Sequence, residues 1–326
     1  MKRNAILVFL LIISMSGRIR AEDPVFFTDS YLEYVVESQL GPDPTPTDML
    51  DLVYLDAFSC EILHLGGLEH AVNLVYLDLG SNWISDVSYI SEFSQLRWLY
   101  LDNNFVSNIS YLSGLTDLRL LSLDENIIGD ISALGSLTNL QTLWLYYNDV
   151  NDISALATLT NLAELDLDEN NISDIAALGS LTGLEYLWLY NNQIVDIFSL
   201  VSLVNLIELD LGSNQISDIF AIALSTHLEL LYLDDNPLNT SAYCTYLTLI
   251  EANNPPTTDF RYDPNPNPFT DDCSTDMIEL SQWCSSWLDT DCAQSNNFCS
   301  GADIDHISDV TLADFAQFTR LWLQGR

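Results

Sequence analysis

The sequence predicts an α/β solenoid. Short parallel strands line the concave face of a right-handed horseshoe, helical caps close its ends, and a small α-helical tail follows. Three observations carry this reading. Asn82, Asn104, Asn126, Asn148, Asn170, Asn192, Asn214 and Asn236 recur every 22 residues without a break. Each sits in the same frame, as in Leu74, Leu77, Leu79, Asn82 and Ile84, an LxxLxLxxNxI pattern. Beyond Leu238 the repeat stops, and a PNPNP run at 264–268 precedes four of the six cysteines.

The LxL centre of each frame predicts a strand that pairs in parallel with its neighbours one period away. No single repeat can bury its leucines; stacking buries them in one core. The asparagine is expected to turn inward and satisfy backbone groups at the turn, because a buried amide without partners is costly. One period before Asn82 the slot holds Cys60, a small thiol that fits as a structural residue. Nine repeats therefore span residues 51–238. After the asparagine, Asp86, Asp130, Asp152, Asp174, Asp196 and Asp218 share one column with Asn108. Short carbonyl side chains there predict caps for a helical or 3₁₀ turn on the outer side.

Terminal repeats need covers. Residues 22–50 form the N-terminal cap, whose TDSYLEYVVESQL run places Leu32, Val35, Val36 and Leu40 on one helical face before Gly41. Residues 239–262 form the C-terminal cap: a short helix with Tyr246, Leu249 and Ile250 inward, Cys244 buried, and a final strand in TDFRYD. Residues 263–270 are a stiff proline-rich linker, and 271–326 a separate cysteine-rich module.

Residues 1–21 read as a secretory signal: Lys2 and Arg3, an apolar run from Ala5 to Met15 too short to span a bilayer, and Ala21 before the cut. Its loss takes four of the nine basic residues and leaves five against 47 acidic ones, a net charge of −42 with no lysine. Such a surface repels nucleic acid and anionic membranes, and no later stretch is apolar enough to span. The expected location is extracellular or periplasmic.

Side chains alternate along a strand. If the leucines face the core, the opposite face carries Tyr54, Asp56, Phe58; Tyr76, Asp78, Gly80; Trp98, Tyr100, Asp102; Leu120, Ser122, Asp124; Thr142, Trp144, Tyr146; Glu164, Asp166, Asp168; Tyr186, Trp188, Tyr190; Glu208, Asp210, Gly212; and Leu230, Tyr232, Asp234. Exposed aromatics in bulk mark interaction surfaces, and Trp and Tyr dominate binding hot spots. The candidate ligand-binding residues are Trp98, Tyr100, Trp144, Tyr146, Tyr186, Trp188, Tyr190, Tyr232, Asp166 and Asp168. They suit a protein or a carbohydrate; rings that only stack on each other are the alternative.

The 22-residue frame with its LTNL and SDI segments, preceded by a helical cap, resembles the internalin-type leucine-rich repeats of secreted bacterial proteins over about residues 24–262. The resemblance implies a horseshoe that binds other molecules, with no common ligand. In the tail, Asp303, Asp305, Asp309, Thr311 and Asp314 fall at positions 1, 3, 7, 9 and 12 of a calcium-type loop, Asp309 through its carbonyl. Trp287-Leu288 and Trp322-Leu323 end two copies of one loop-helix unit. The tail resembles a cysteine-containing type I dockerin module, which implies attachment to a protein partner. Ile307 and Ser308 depart from the loop's oxygen donor and sharp turn, which weakens any Ca²⁺ site. The shortened first loop, DDCSTD, is not expected to bind. Cys273, Cys284, Cys292 and Cys299 allow three pairings.

His64, His70, His227 and His306 show no zinc spacing, and nucleophile, P-loop and dinucleotide motifs are missing. The expected function is a secreted binding protein with an attachment tail, and not an enzyme. The alternatives are a structural component of an extracellular complex, or a protein associated with polysaccharide degradation, for which only the acidic surroundings of Asp168 would merit a catalytic test.

Overall fold

The structure, a computed structural model, describes residues 22–254 and 259–263. The leader at 1–21, most of the linker, and the tail with Asp303, Asp305, Asp309, Thr311 and Asp314 lie outside the described residues.

Among the described residues ten three-residue strands form one parallel sheet in sequence order. They are β1 (Tyr54–Asp56), β2 (Tyr76–Asp78), β3 (Trp98–Tyr100), β4 (Leu120–Ser122), β5 (Thr142–Trp144), β6 (Glu164–Asp166), β7 (Tyr186–Trp188), β8 (Glu208–Asp210), β9 (Leu230–Tyr232) and β10 (Asp259–Arg261). The register equals the period: Leu143 pairs with Leu165, and Leu165 with Leu187. Both leucines of each LxL, such as Leu187 and Leu189, are fully buried. On the far side of the core, short 3₁₀ turns such as Ser154–Thr158 stack on one another. No helix among the described residues is long and apolar enough to cross a membrane.

The inward asparagines behave as the sequence predicts. Asn148 Oδ1 accepts from Ile128 N–H at 3.0 Å, and its Nδ2 donates to the carbonyls of Leu123 (2.9 Å), Leu145 (3.3 Å) and Tyr146 (3.2 Å). Each asparagine thus bonds the preceding repeat as well as its own turn. Cys60 fills the first slot as a free thiol that donates to the Phe58 carbonyl; burial, and then Asp56 and Asp78, push its pKa up. The SDI aspartates accept the first N–H of the 3₁₀ turns, as Asp152 Oδ1 does from Ser154 at 2.9 Å. They stand one residue before the cap position, which Ile153 occupies. A second, exposed ladder comes from the LTNL asparagines: Asn139 and Asn161 Nδ2 donate to the carbonyls of Thr116 and Thr138.

The residue before each ladder position has a left-handed backbone, from Ser59 (φ 54°) through Tyr147 (φ 52°) to Asp235 (φ 56°), and none is glycine. Left-handed φ is unfavourable for L-residues. Here the backbone bonds hold it: Tyr147 N–H donates to Asp168 O at 3.0 Å, and Glu169 N–H to Tyr190 O at 2.8 Å.

The N-terminal cap is the helix α1 (Ser30–Leu40), followed by a single turn, α2 (Pro46–Met49). Asp29 caps α1 through Tyr31 N–H, and its other oxygen accepts from Leu63 and His64, tying the cap to the first repeat. The C-terminal cap begins with a π turn, Ala242–Tyr246, and continues as α3 (Leu247–Asn253). Tyr246, Ile250 and Cys244 are buried as expected, but Leu247 is buried and Leu249 only half so. The wider first turn rotates the following residues about the axis, so the α-helical spacing misplaces Leu249.

Removing one ladder amide orphans backbone groups in two repeats. Asn148→Ala is expected to cost roughly 1–3 kcal/mol of stability, read by urea denaturation of the full chain; an unchanged midpoint would remove the ladder from the stability account.

Candidate functional site

The sheet register sets the open face into columns. Trp144, Asp166, Trp188, Asp210 and Tyr232 are neighbours across β5 to β9. Thr142, Glu164, Tyr186 and Glu208 run beside them. Asp124, Tyr146, Asp168, Tyr190 and Gly212 form the third column, two residues further along each repeat.

The predicted site residues fall into three groups. At the N-terminal end the rings stack on each other: Tyr54 on Tyr76 with centroids 4.4 Å apart, and Tyr76 against Tyr100 at 5.6 Å. Tyr100 and its strand neighbour Trp98 belong to this self-packed end. At the C-terminal end the Arg261 guanidinium lies over Tyr232, 4.4 Å from its centroid, and pairs with Asp259 at 3.0 Å. Between them, on β5 to β7 and the residues just after, stand Trp144, Tyr146, Asp166, Asp168, Tyr186, Trp188 and Tyr190. Trp144 Nε1 donates to Glu164 Oε1 at 2.8 Å, and Trp188 stacks on Tyr186. Tyr190 leans over Gly212, where a Cβ would come within 3.0 Å of the ring. The acidic strand β6 thus lies between two aromatic strands, two strand spacings or roughly 10 Å apart.

The aspartates serve the backbone as well. Asp56, Asp78, Asp166 and Asp210 each accept from the N–H two residues on, as Asp166 does from Asp168 at 3.0 Å. Trp144 and Trp188 cannot accept such a bond. There the donor is taken up by the preceding repeat: Tyr146 N–H goes to Asp124 Oδ1 at 2.8 Å, and Tyr190 N–H to Asp168 Oδ1.

Sequence reasoning missed one surface. Trp83 (59% exposed), Phe105 (57%), Ile127 (53%) and Tyr147 (59%) form an apolar stripe along the turn edge. They border an open groove of about 360 Å³. The rings of Tyr146 and Tyr147, 5.9 Å apart, join it to the sheet face. Reading Trp83, Phe105 and Ile127 as one column, directly after the ladder asparagine, would have revealed it.

Burial raises the carboxyl pKa values on the face. Asp168 is pushed up to about 8 by burial and then by the Asp166 charge. Asp124 reaches about 7 by burial and then Asp166, and Asp166 about 6 by burial and then Glu164 and Asp210. The charged groups that shift these three are all acids. Among the described residues no three His, Cys, Asp or Glu side chains converge as a metal cluster would require.

The family model for leucine-rich repeats (two copies) matches residues 94–136, 138–180, 160–202 and 182–224. The chain is 32% identical to internalin C2 of Listeria monocytogenes, with a TM-score of 0.62, over 67% of this chain and 100% of that one. A leucine-rich-repeat protein of Leptospira interrogans is 24% identical with a TM-score of 0.50, over 65% and 59% of the two chains. The plant peptide hormone receptor RGFR1, in complex with RGF2, is 23% identical with a TM-score of 0.50, over 54% and 31%. A search of the curated proteins gives no match. The chain belongs to the internalin-type leucine-rich-repeat family.

Raised carboxyl pKa values stabilise the fold below the unfolded value near 4, and that contribution is lost as pH rises through about 6 to 8. Melting temperature should therefore fall between pH 5 and pH 8.5. Asp168→Asn keeps an acceptor for Tyr190 N–H and removes the charge. It should stabilise at pH 8.5 by on the order of 1–3 kcal/mol, with allowance for solvent screening at this half-buried position. At pH 5, only just above the unfolded value, the gain should be clearly smaller. Thermal melts at the two pH values read the difference; equal effects at both would refute the charge assignment.

Proposed function

We propose that the protein is a secreted binding protein whose concave sheet face, centred on β5 to β7, holds a protein ligand, and that the cysteine-rich module at 271–326 attaches it to a second partner. The observation that carries the first half is the placement of Trp144, Tyr146, Trp188 and Tyr190 on both sides of an acidic strand. These rings are partly exposed, and the core is complete without them. Large rigid aromatics with a polar surround are the composition of binding hot spots. A protein ligand is favoured over a carbohydrate by fold-level likeness: the hormone receptor, solved in complex with RGF2, has a similar repeat architecture. The face is read as binding rather than catalytic because Asp166 and Asp168 each give one oxygen to a backbone N–H that the fold needs satisfied.

The leader at 1–21 supports secretion. The spacing of Asp303, Asp305, Asp309, Thr311 and Asp314 supports a dockerin-like attachment module with one weak Ca²⁺ site.

A protein pull-down and a glycan array with the full chain identify the ligand class. Trp188→Ala, checked for an unchanged melt, should weaken the ligand by about 2 kcal/mol or more. Affinity indifferent to both Trp144→Ala and Trp188→Ala would place the ligand elsewhere.

For the tail, calorimetric titration of the full chain should give a Ca²⁺ dissociation constant of about 10⁻⁴–10⁻³ M, lost in Asp303→Ala. No difference between the two chains would leave the module without its metal.

A further inference from the structure

We infer that the box formed by Trp144, Tyr146, Trp188 and Tyr190 over Asp166 and Asp168 takes a cationic side chain, arginine above all, from a basic segment of a protein partner. The inference rests on the concave-face reading and adds the chemistry of what is bound.

The floor of the box is two carboxylates on one strand, each with one oxygen given to a backbone N–H. Their second oxygens have no protein partner among the described residues. The charged groups that act on them, Glu164, Glu169 and Asp210 together with each other, are all acidic. The described arginines lie elsewhere. Arg97 and Arg119 line a separate polar groove with Asp117, and Arg261 sits on β10, four strands from β6. Charge compensation for this floor therefore has to come from outside the repeats. Burial first and the neighbouring acids second raise its carboxyl pKa values, and a bound cation would restore the ionised forms with release of protons.

The walls select the kind of cation. Aromatic faces attract a guanidinium or ammonium through the ring quadrupole, most strongly when it is partly desolvated. A guanidinium also matches a carboxylate fork. The protein already makes this contact once at its own end, where Arg261 covers Tyr232 and pairs with Asp259. A bare divalent ion needs several converging oxygens, and no such cluster is present among the described residues. With a net charge of −38 over the full sequence, a second copy of this chain is repelled and a basic partner is attracted.

The test uses the full chain labelled with ¹⁵N and follows its indole N–H resonances. N-acetyl-arginine amide is the probe, with N-acetyl-citrulline amide as its neutral isostere and calcium chloride as a third arm. Saturable shifts of Trp144 and Trp188 with arginine, at least about tenfold weaker with citrulline, are expected from the loss of the charge. The arginine affinity should rise between pH 5 and pH 8.5, and Asp166→Asn with Asp168→Asn should abolish the shifts at pH 8.5. Equal response to citrulline, no response of these two indoles, or shifts spread evenly to Trp83 and Trp98 would each overturn the proposal. Calcium that moves the same two resonances and displaces arginine would replace it with a metal site. If the arginine arm fails while a ligand still depends on Trp188, the concave face binds by other chemistry; if ligand binding ignores Trp188 as well, the concave-face reading itself fails.

Discussion

The structure depends on one interaction repeated along its length, the inward asparagine amide that joins each turn to the turn before it. A three-residue strand contributes too few hydrogen bonds to hold a sheet alone. The chain leaves each strand through a left-handed residue that costs energy. The amide offsets both. Its nitrogen satisfies carbonyls on two repeats, and its oxygen takes an N–H from the preceding one, as at Asn104 with Leu79, Leu101 and Ile84. Because each bond crosses to a neighbour, stability is shared along the array and no repeat stands by itself.

The same constraint shapes the open face. The N–H two residues beyond the last strand position is taken by an aspartate side chain in six of the repeats. Where that last strand residue is aspartate, its own side chain accepts. Where it is tryptophan, the aspartate of the repeat before supplies the oxygen, Asp124 for Tyr146 and Asp168 for Tyr190. On β5 and β7 the tryptophan and the aspartate of the preceding repeat are therefore linked.

Most of the fold was legible from the sequence because its signal is periodic. An unbroken spacing of 22 fixes strand register, core column, asparagine column and the turn-capping aspartates together. The left-handed column was not legible, because Ser81, Asn103, Glu125 and Tyr147 share only the lack of β-branching. At the C-terminal cap the period has ended, and a π turn has no local sequence mark, so Leu249 was placed where Leu247 sits. The apolar stripe is hidden residue by residue, because Trp83, Phe105 and Ile127 resemble core residues one at a time and show as surface only as a column. For the candidate site the columns were readable, but their partition was not. That Tyr100 packs against Tyr76 while Trp144 turns to Glu164 and Trp188 to Tyr186 depends on side-chain lean.

The partition bears on how far structural need alone explains the face. The aspartate bonds use only one carboxylate oxygen each, and an asparagine would provide the same acceptor without charge. Keeping Asp124, Asp166 and Asp168 ionisable at neighbouring positions raises the free energy of the folded chain near neutral pH, since their pKa values are all displaced upward. The tryptophans at 144 and 188 likewise exceed what the sheet requires, because Ser122 fills the same column between Tyr100 and Trp144 with no loss of strand pairing. Charge that opposes folding and rings that the core does not use meet in four successive repeats, those of β4 to β7. A structural role accounts for the backbone bonds of these residues; the carboxylate charge and the exposed aromatic area are what a ligand would use.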